Sequence, residues 1–98
     1  MHIIRMKVTW DRRKAESNRR KHGVRFPDVE AVFLDPRSLI EEDISSVDEQ
    51  RFVVLGKGDI GRLYVVVYTY QGDRIRVISA RMACRAEARD YERGIRFQ

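Results

Sequence analysis

The chain has 98 residues, 43% of them hydrophobic, and carries 20 Lys and Arg against 15 Asp and Glu, a net charge of +5. That length holds one domain and one core rather than two, and that apolar fraction excludes a disordered tail. A lone cysteine, Cys84, excludes an internal disulfide, and the longest apolar run, residues 63–70, is too short to span a bilayer.

Residues 3–9 read as a first strand ended by Trp10. Asp11 is a good N-cap, because its carboxylate can accept amide protons of the turn that follows. Residues 12–22 then form a helix closed by Gly23, which accepts the left-handed turn of a C-cap. Pro27 opens a second helix at a position where its missing N–H costs nothing. Val29, Val32 and Phe33 give that helix an apolar stripe, and Pro36 ends it by pushing Asp35 out of helical geometry. The middle of the chain is β-rich. A short strand spans 38–43, a firmer one 51–57, and a glycine-rich turn 56–61 follows. Residues 62–70, dense in Val and Tyr, and 74–81 form a hairpin across the turn 71–73. A helix from about residue 82 to 93 closes the chain, with Cys84, Ala88 and Tyr91 on one face and Gly94 as its stop. Cys84 reads as a small buried residue on that helix. The order β-α-α-β-β-β-β-α predicts an α+β domain, an antiparallel sheet with helices packed on one face.

The excess of arginine over lysine points to an anionic partner, since guanidinium grips phosphate or carboxylate in a fork. Nucleic acid is the first choice and an acidic protein the second. On the first helix Lys14, Asn18 and Lys21 share a face, with His22 beside it. That is either a basic site with a titratable group at its edge or a solvated face with a histidine near the helix C-terminus. With Gly72 and Asp73 at the turn centre, Tyr68 opposes Val77, Val66 opposes Ser79, and Tyr64 opposes Arg81. Tyr64, Tyr68, Ser79 and Arg81 then share a polar face, while Val65, Val67, Ile78 and Ala80 carry the helices. In this register Thr69 and Arg76 fall on the apolar side, near the hairpin end, where they can sit beyond the helix cover. Tyrosines and arginines on an open sheet suit RNA, and they equally suit a plain half-exposed sheet. A one-residue slip exchanges the two faces. Glu49 and Arg51 share a face, as a general base and a phosphate clamp or as a simple ion pair. Arg62 and Arg81 are further clamps. No phosphate-cradling G-x-x-x-x-G-K-[ST] loop is present, and His2 and His22 lack companions at zinc-ligand spacing. No metal or cofactor is expected, so an enzyme here works by proton transfer and charge stabilisation.

The run from Trp10 to Phe26, W-D-x-x-K-A-x-x-N-x-x-K-H-G-V-x-F, resembles the opening of the BrnT family, the toxin half of a bacterial toxin–antitoxin pair. Val32-Phe33-Leu34-Asp35-Pro36 is similar to that family's V-F-x-D-P, and Glu49-x-Arg51 followed by Gly56 to its E-x-R…G. Gly61-Arg62 through Tyr68-Thr69 resembles G-R-x-L-x-V-V-Y-T with one residue of slack. Residues 76–81 are similar to R-I-I-S-A-R, and Ala83, Glu87, Tyr91 and Glu92 to the A-x-x-x-E-x-x-x-Y-E of the closing helix. Ordered pieces of this kind extend over residues 8–92. The resemblance implies a ribonuclease with a RelE-like fold that cuts RNA to arrest translation and growth, and the lone cysteine fits a reducing cytoplasm. It implies neutralisation by a BrnA-like ribbon-helix-helix antitoxin, with operator DNA bound only through the complex. On this basis His22, Glu49, Arg51 and Arg81 are expected to be catalytic, and Lys14, Lys21, Arg62, Arg76 and Tyr68 to hold RNA. One departure stands out: Ser45-Ser46 occupies a place where relatives often have His-Ser, which shifts any proton-carrying role to His22 or Glu49. The competing expectation is a non-catalytic basic module that binds RNA or an acidic protein.

Overall fold

A computed structural model describes residues 6–95. Residues 3–5 of the expected first strand, and His2, lie outside the described residues. Five strands form one sheet: β1 (Lys7–Trp10), β2 (Leu39–Asp43), β3 (Arg51–Lys57), β4 (Leu63–Gln71) and β5 (Arg74–Met82), in the spatial order β1-β5-β4-β3-β2. Neighbours from β2 to β5 run antiparallel, but β1 pairs with β5 in parallel, so the sheet is mixed rather than antiparallel throughout.

Helix α1 (Arg12–His22) keeps its expected bounds because both ends are fixed locally. The Asp11 side chain accepts from the Arg13 amide, and Gly23 sits at φ 69° with its N–H bonded to the Arg19 carbonyl. The expected second helix is a 3₁₀ helix, Phe26–Leu34. Its tighter winding follows from the apolar spacing. Phe26, Val29 and Val32 recur every third residue, which a 3₁₀ helix stacks on one face, and all three are fully buried. Helix α2 (Arg85–Arg93) starts later than expected because Met82 still pairs with Tyr64 in the sheet. Cys84 is exposed rather than buried: it is the N-cap of α2.

The helices lie on both faces of the sheet, not one. α1 and the 3₁₀ helix pack over Val54, Val66, Tyr68, Ile75, Val77 and Ala80, the larger core. On the opposite face Tyr91 of α2 covers Leu55 and Val65 at one end. The cause of a second correction is a bulge in β5. Tyr68 opposes Val77 as expected, but Val67 opposes Ser79 and Val66 opposes Ala80, so Ile78 is an extra residue. One inserted residue inverts everything beyond it. The bulge carries Ser79 and Arg81 to the other face, and Tyr64 and Tyr68, left with Val66, Val77 and Ala80, lie in the core, 4% and 1% exposed.

Candidate active site

Alternate residues of β3, β4 and β5 build the open part of that second face: Arg51 and Val53, Val67 and Thr69, Arg76 and Ser79. Glu49, in the loop before β3, reaches over it. Both Glu49 carboxylate oxygens accept from Nη2 of Arg76, at 2.9 and 3.0 Å, and Oε2 also accepts from Nη2 of Arg51 at 3.4 Å. The loop is braced from both ends. Ser46 Oγ donates to the Glu49 carbonyl, and Thr69 Oγ1 donates to the Gln50 carbonyl at 2.6 Å. Arg51 and Arg76 have side chains 32% and 18% exposed, and the Nε of each is enclosed without a hydrogen-bond partner. Two guanidiniums share one carboxylate, so the cluster retains positive charge and spare donors. The hydrogen bond from Arg76, outweighing the effect of partial burial, holds the Glu49 carboxyl below its ordinary value. A carboxylate so engaged is a weak proton acceptor at neutral pH. Its geometry instead aligns the two arginines.

Helix α1 forms the rim. Beyond Trp10 the edge of β5 has no strand partner, and Asn18 supplies one. Its amide donates to the Ala80 carbonyl at 2.8 Å, accepts from the Ala80 N–H at 3.0 Å, and donates to the Val24 carbonyl at 3.1 Å. This peptide-like pairing sets α1 along the sheet edge with Lys14, Ser17, Lys21 and His22 around Ser79 and Ile78, lining a cavity of about 240 Å³. Ser79 lies one same-face step along β5 from Arg76, about 7 Å at ~3.3 Å per residue. The cationic rim and the arginine cluster thus adjoin.

At the far end of this face Arg81 is occupied. Its guanidinium makes a paired contact with Glu87 of α2, at 2.9 and 2.8 Å, and Glu87 also accepts from the Cys84 amide. Those bonds from Arg81, working against burial, pull the Glu87 carboxyl down to about 2. Tyr91 donates to Asp35 at 2.6 Å, and Asp35 also accepts the amides of Arg37 and Lys57. Burial pushes Asp35 up, yet these three donors bring it net below its usual value. Burial and the bond to Asp35 push the Tyr91 hydroxyl up to about 12. Arg81 and Tyr91 fasten α2 over one end of the sheet and leave the other end open.

The structure therefore brings together Glu49, Arg51 and Arg76, and sets Lys14, Lys21 and His22 beside them. Arg81 shares the face but lies about 13 Å along the strand from Arg76, tied to α2. Arg62 is exposed in the connection entering β4, beyond the end of the face covered by α2. Tyr68 is in the core against Phe33 and Phe52 and stacks no base, which corrects its expected role. Ser45 is exposed at a turn, donating to Asp43 through both its amide and its hydroxyl. Sequence reasoning placed Ser79 on an open face but joined it to Tyr64 and Tyr68, and it missed the buried Thr69 as the brace of the Glu49 loop. It also missed the Asp35–Tyr91 bond, although Asp35-Pro36 and Tyr91 were each singled out. Among the described residues, no three His, Cys, Asp or Glu side chains gather as metal ligands.

A small mixed sheet with one face sealed by helices presents, on the other, paired arginines beside a cationic helix, a surface whose charge suits a polyanion. The comparisons specify which kind. The family model described as the ribonuclease toxin BrnT of type II toxin–antitoxin systems matches residues 10–87. The crystal structure of the Brucella abortus ribonuclease toxin BrnT is similar at a TM-score of 0.63 and 28% identity, covering 82% of this chain and 99% of that one. No match is found among curated proteins. The chain belongs to the BrnT family of ribonuclease toxins.

Proposed function

We propose that this chain is a metal-independent endoribonuclease that holds RNA across the open sheet face and is neutralised by a BrnA-like antitoxin. The observation that carries the reading is the convergence of Arg51 and Arg76 on Glu49, next to the rim of Lys14, Lys21 and His22. Arg51 and Arg76 bind the scissile phosphate and stabilise charge as the ribose 2′-hydroxyl attacks it. His22 carries protons at the rim, the ordinary task of an imidazole near neutral pH. Lys14 and Lys21 hold the flanking backbone through salt-sensitive contacts. Glu49 is a positioning residue, and Arg81 supports the fold of the site.

Expression in bacteria tests this. Wild type is expected to arrest growth and degrade RNA, and Arg51→Ala and His22→Ala are expected to relieve both. Growth arrest of equal strength from all three proteins would refute the site.

A further inference from the structure

A second concavity lies on the other side of the sheet. Its floor, Trp10, Ala15 and Phe26, belongs to the core beneath α1 and the 3₁₀ helix, away from Arg51 and Arg76. Its volume is about 470 Å³, and Arg12, Arg19 and Arg25 stand around it. All three arginines are exposed. Among the residues lining it, Glu16 is the one carboxylate, bonded to Arg19 at 2.7 Å and paired with Arg20 at 3.7 Å. A concavity with an apolar floor at Trp10 and Ala15 and guanidinium groups at its rim suits a ligand that is apolar in the middle and anionic at its edges.

We propose that this pocket receives an acidic segment of the antitoxin. An aliphatic side chain fills the bowl, and flanking carboxylates pair with Arg12, Arg25 and the free edge of Arg19. Three observations favour a peptide over RNA. Phe26 is fully buried and the half-buried Trp10 meets it edge-on, at 6.0 Å and 71°, so the floor offers one partly covered ring rather than a stacking platform. Arg12, Arg19 and Arg25 stand around a concavity of side-chain dimensions, which suits separate carboxylate forks about one apolar side chain better than a continuous phosphodiester backbone. The pocket also faces away from the arginine cluster, so RNA lying on the open sheet does not reach it. The antitoxin partner is implied by the family, while the pocket and its charge are features of this chain.

Trp10 is the only tryptophan in the chain and reports on the floor directly. The experiment titrates the full chain with the peptide acetyl-Glu-Asp-Leu-Glu-Asp-amide, with its Gln/Asn counterpart, and with a short single-stranded oligoribonucleotide, following Trp10 emission. The acidic peptide is expected to give a saturable shift that weakens as salt rises, and the neutral peptide none. The double variant Arg12→Glu/Arg25→Glu is expected to raise the peptide Kd by about tenfold or more while cleaving RNA as wild type does. Absence of a saturable peptide response overturns the proposal. So does an RNA-induced Trp10 shift that the double variant abolishes, or loss of RNA cleavage in a folded double variant. If wild type binds the peptide but cleaves no RNA, the nuclease assignment fails and this pocket stands.

Discussion

Replacing Asn18 with alanine tests how the rim is held. The side chain is 5% exposed and makes three hydrogen bonds, two of them to the peptide of Ala80. Each contributes about 1 kcal/mol net, and truncation also strands the Ala80 N–H at a buried edge, a cost of roughly 1–3 kcal/mol. Alanine returns about 0.5 kcal/mol through helix propensity. The expected loss is at least about 3.5 kcal/mol, or roughly 15–30 °C in Tm for a domain of this size. Urea denaturation followed by Trp10 fluorescence measures it. Asn18→Asp is expected to be at least as damaging, because a carboxylate cannot donate to the two carbonyls. Ser17→Ala, on the neighbouring rim position, should stay within about 0.5 kcal/mol of wild type. If Asn18→Ala also stays within that range, α1 is not fastened to β5 in the way described.

Three further outcomes follow from the geometry. Glu49→Gln should slow RNA cleavage by about ten- to a hundredfold through misplaced arginines, and leave the shape of the pH–rate profile intact; disappearance of its acidic limb would identify Glu49 as the base instead. Glu87 has a folded pKa of about 2, below its ordinary 4.5, so its pairing stabilises the fold above about pH 5 and is lost as pH falls toward 2. Thermal melts should show that acid slope shrinking in Glu87→Gln, with a cost near pH 7 of about 1–2 kcal/mol, moderated because the Arg81 side chain is 45% exposed; an unchanged slope would contradict the pairing. Gly58→Ala would place a Cβ 2.7 Å from the Tyr64 ring and 2.8 Å from the Asp28 carbonyl, and calorimetry should register a loss of about 1–3 kcal/mol, whereas an unshifted melt would mean that this close approach is absent.

How much of this was legible in the sequence depended on how local the signal was. The bounds of α1 were readable because Asp11 and Gly23 act within one turn of their own positions. The β4–β5 hairpin was readable from Gly72-Asp73 between two β-branched runs. The faces of that hairpin were not. Val65, Val66 and Val67 are apolar on both sides, so the pattern carries no preference, and a single extra residue at Ile78 reverses the assignment without any local mark. Its effect falls on Ser79 and Arg81, whose polarity had marked the tyrosine face as open, so Tyr68 read as surface and is core; Arg76, on the turn side of the bulge, keeps the side and the place beyond the helix cover expected of it. The parallel pairing of β1 with β5 joins residues more than sixty positions apart, beyond any turn signal. Asn18 was placed on the correct helix face, but its role depends on a sheet edge that only the fold creates. Glu49 and Arg51 were readable as a pair because they stand two residues apart at the start of a strand.

The most direct test of the open sheet face as the RNA site is the cleavage rate of a single-stranded oligoribonucleotide, in chelator, by wild type and by Arg76→Ala. Wild type is expected to cut, leaving a 2′,3′-cyclic phosphate, and Arg76→Ala, still folded, to cut about a hundredfold or more slowly. Equal rates from the two proteins would contradict the account.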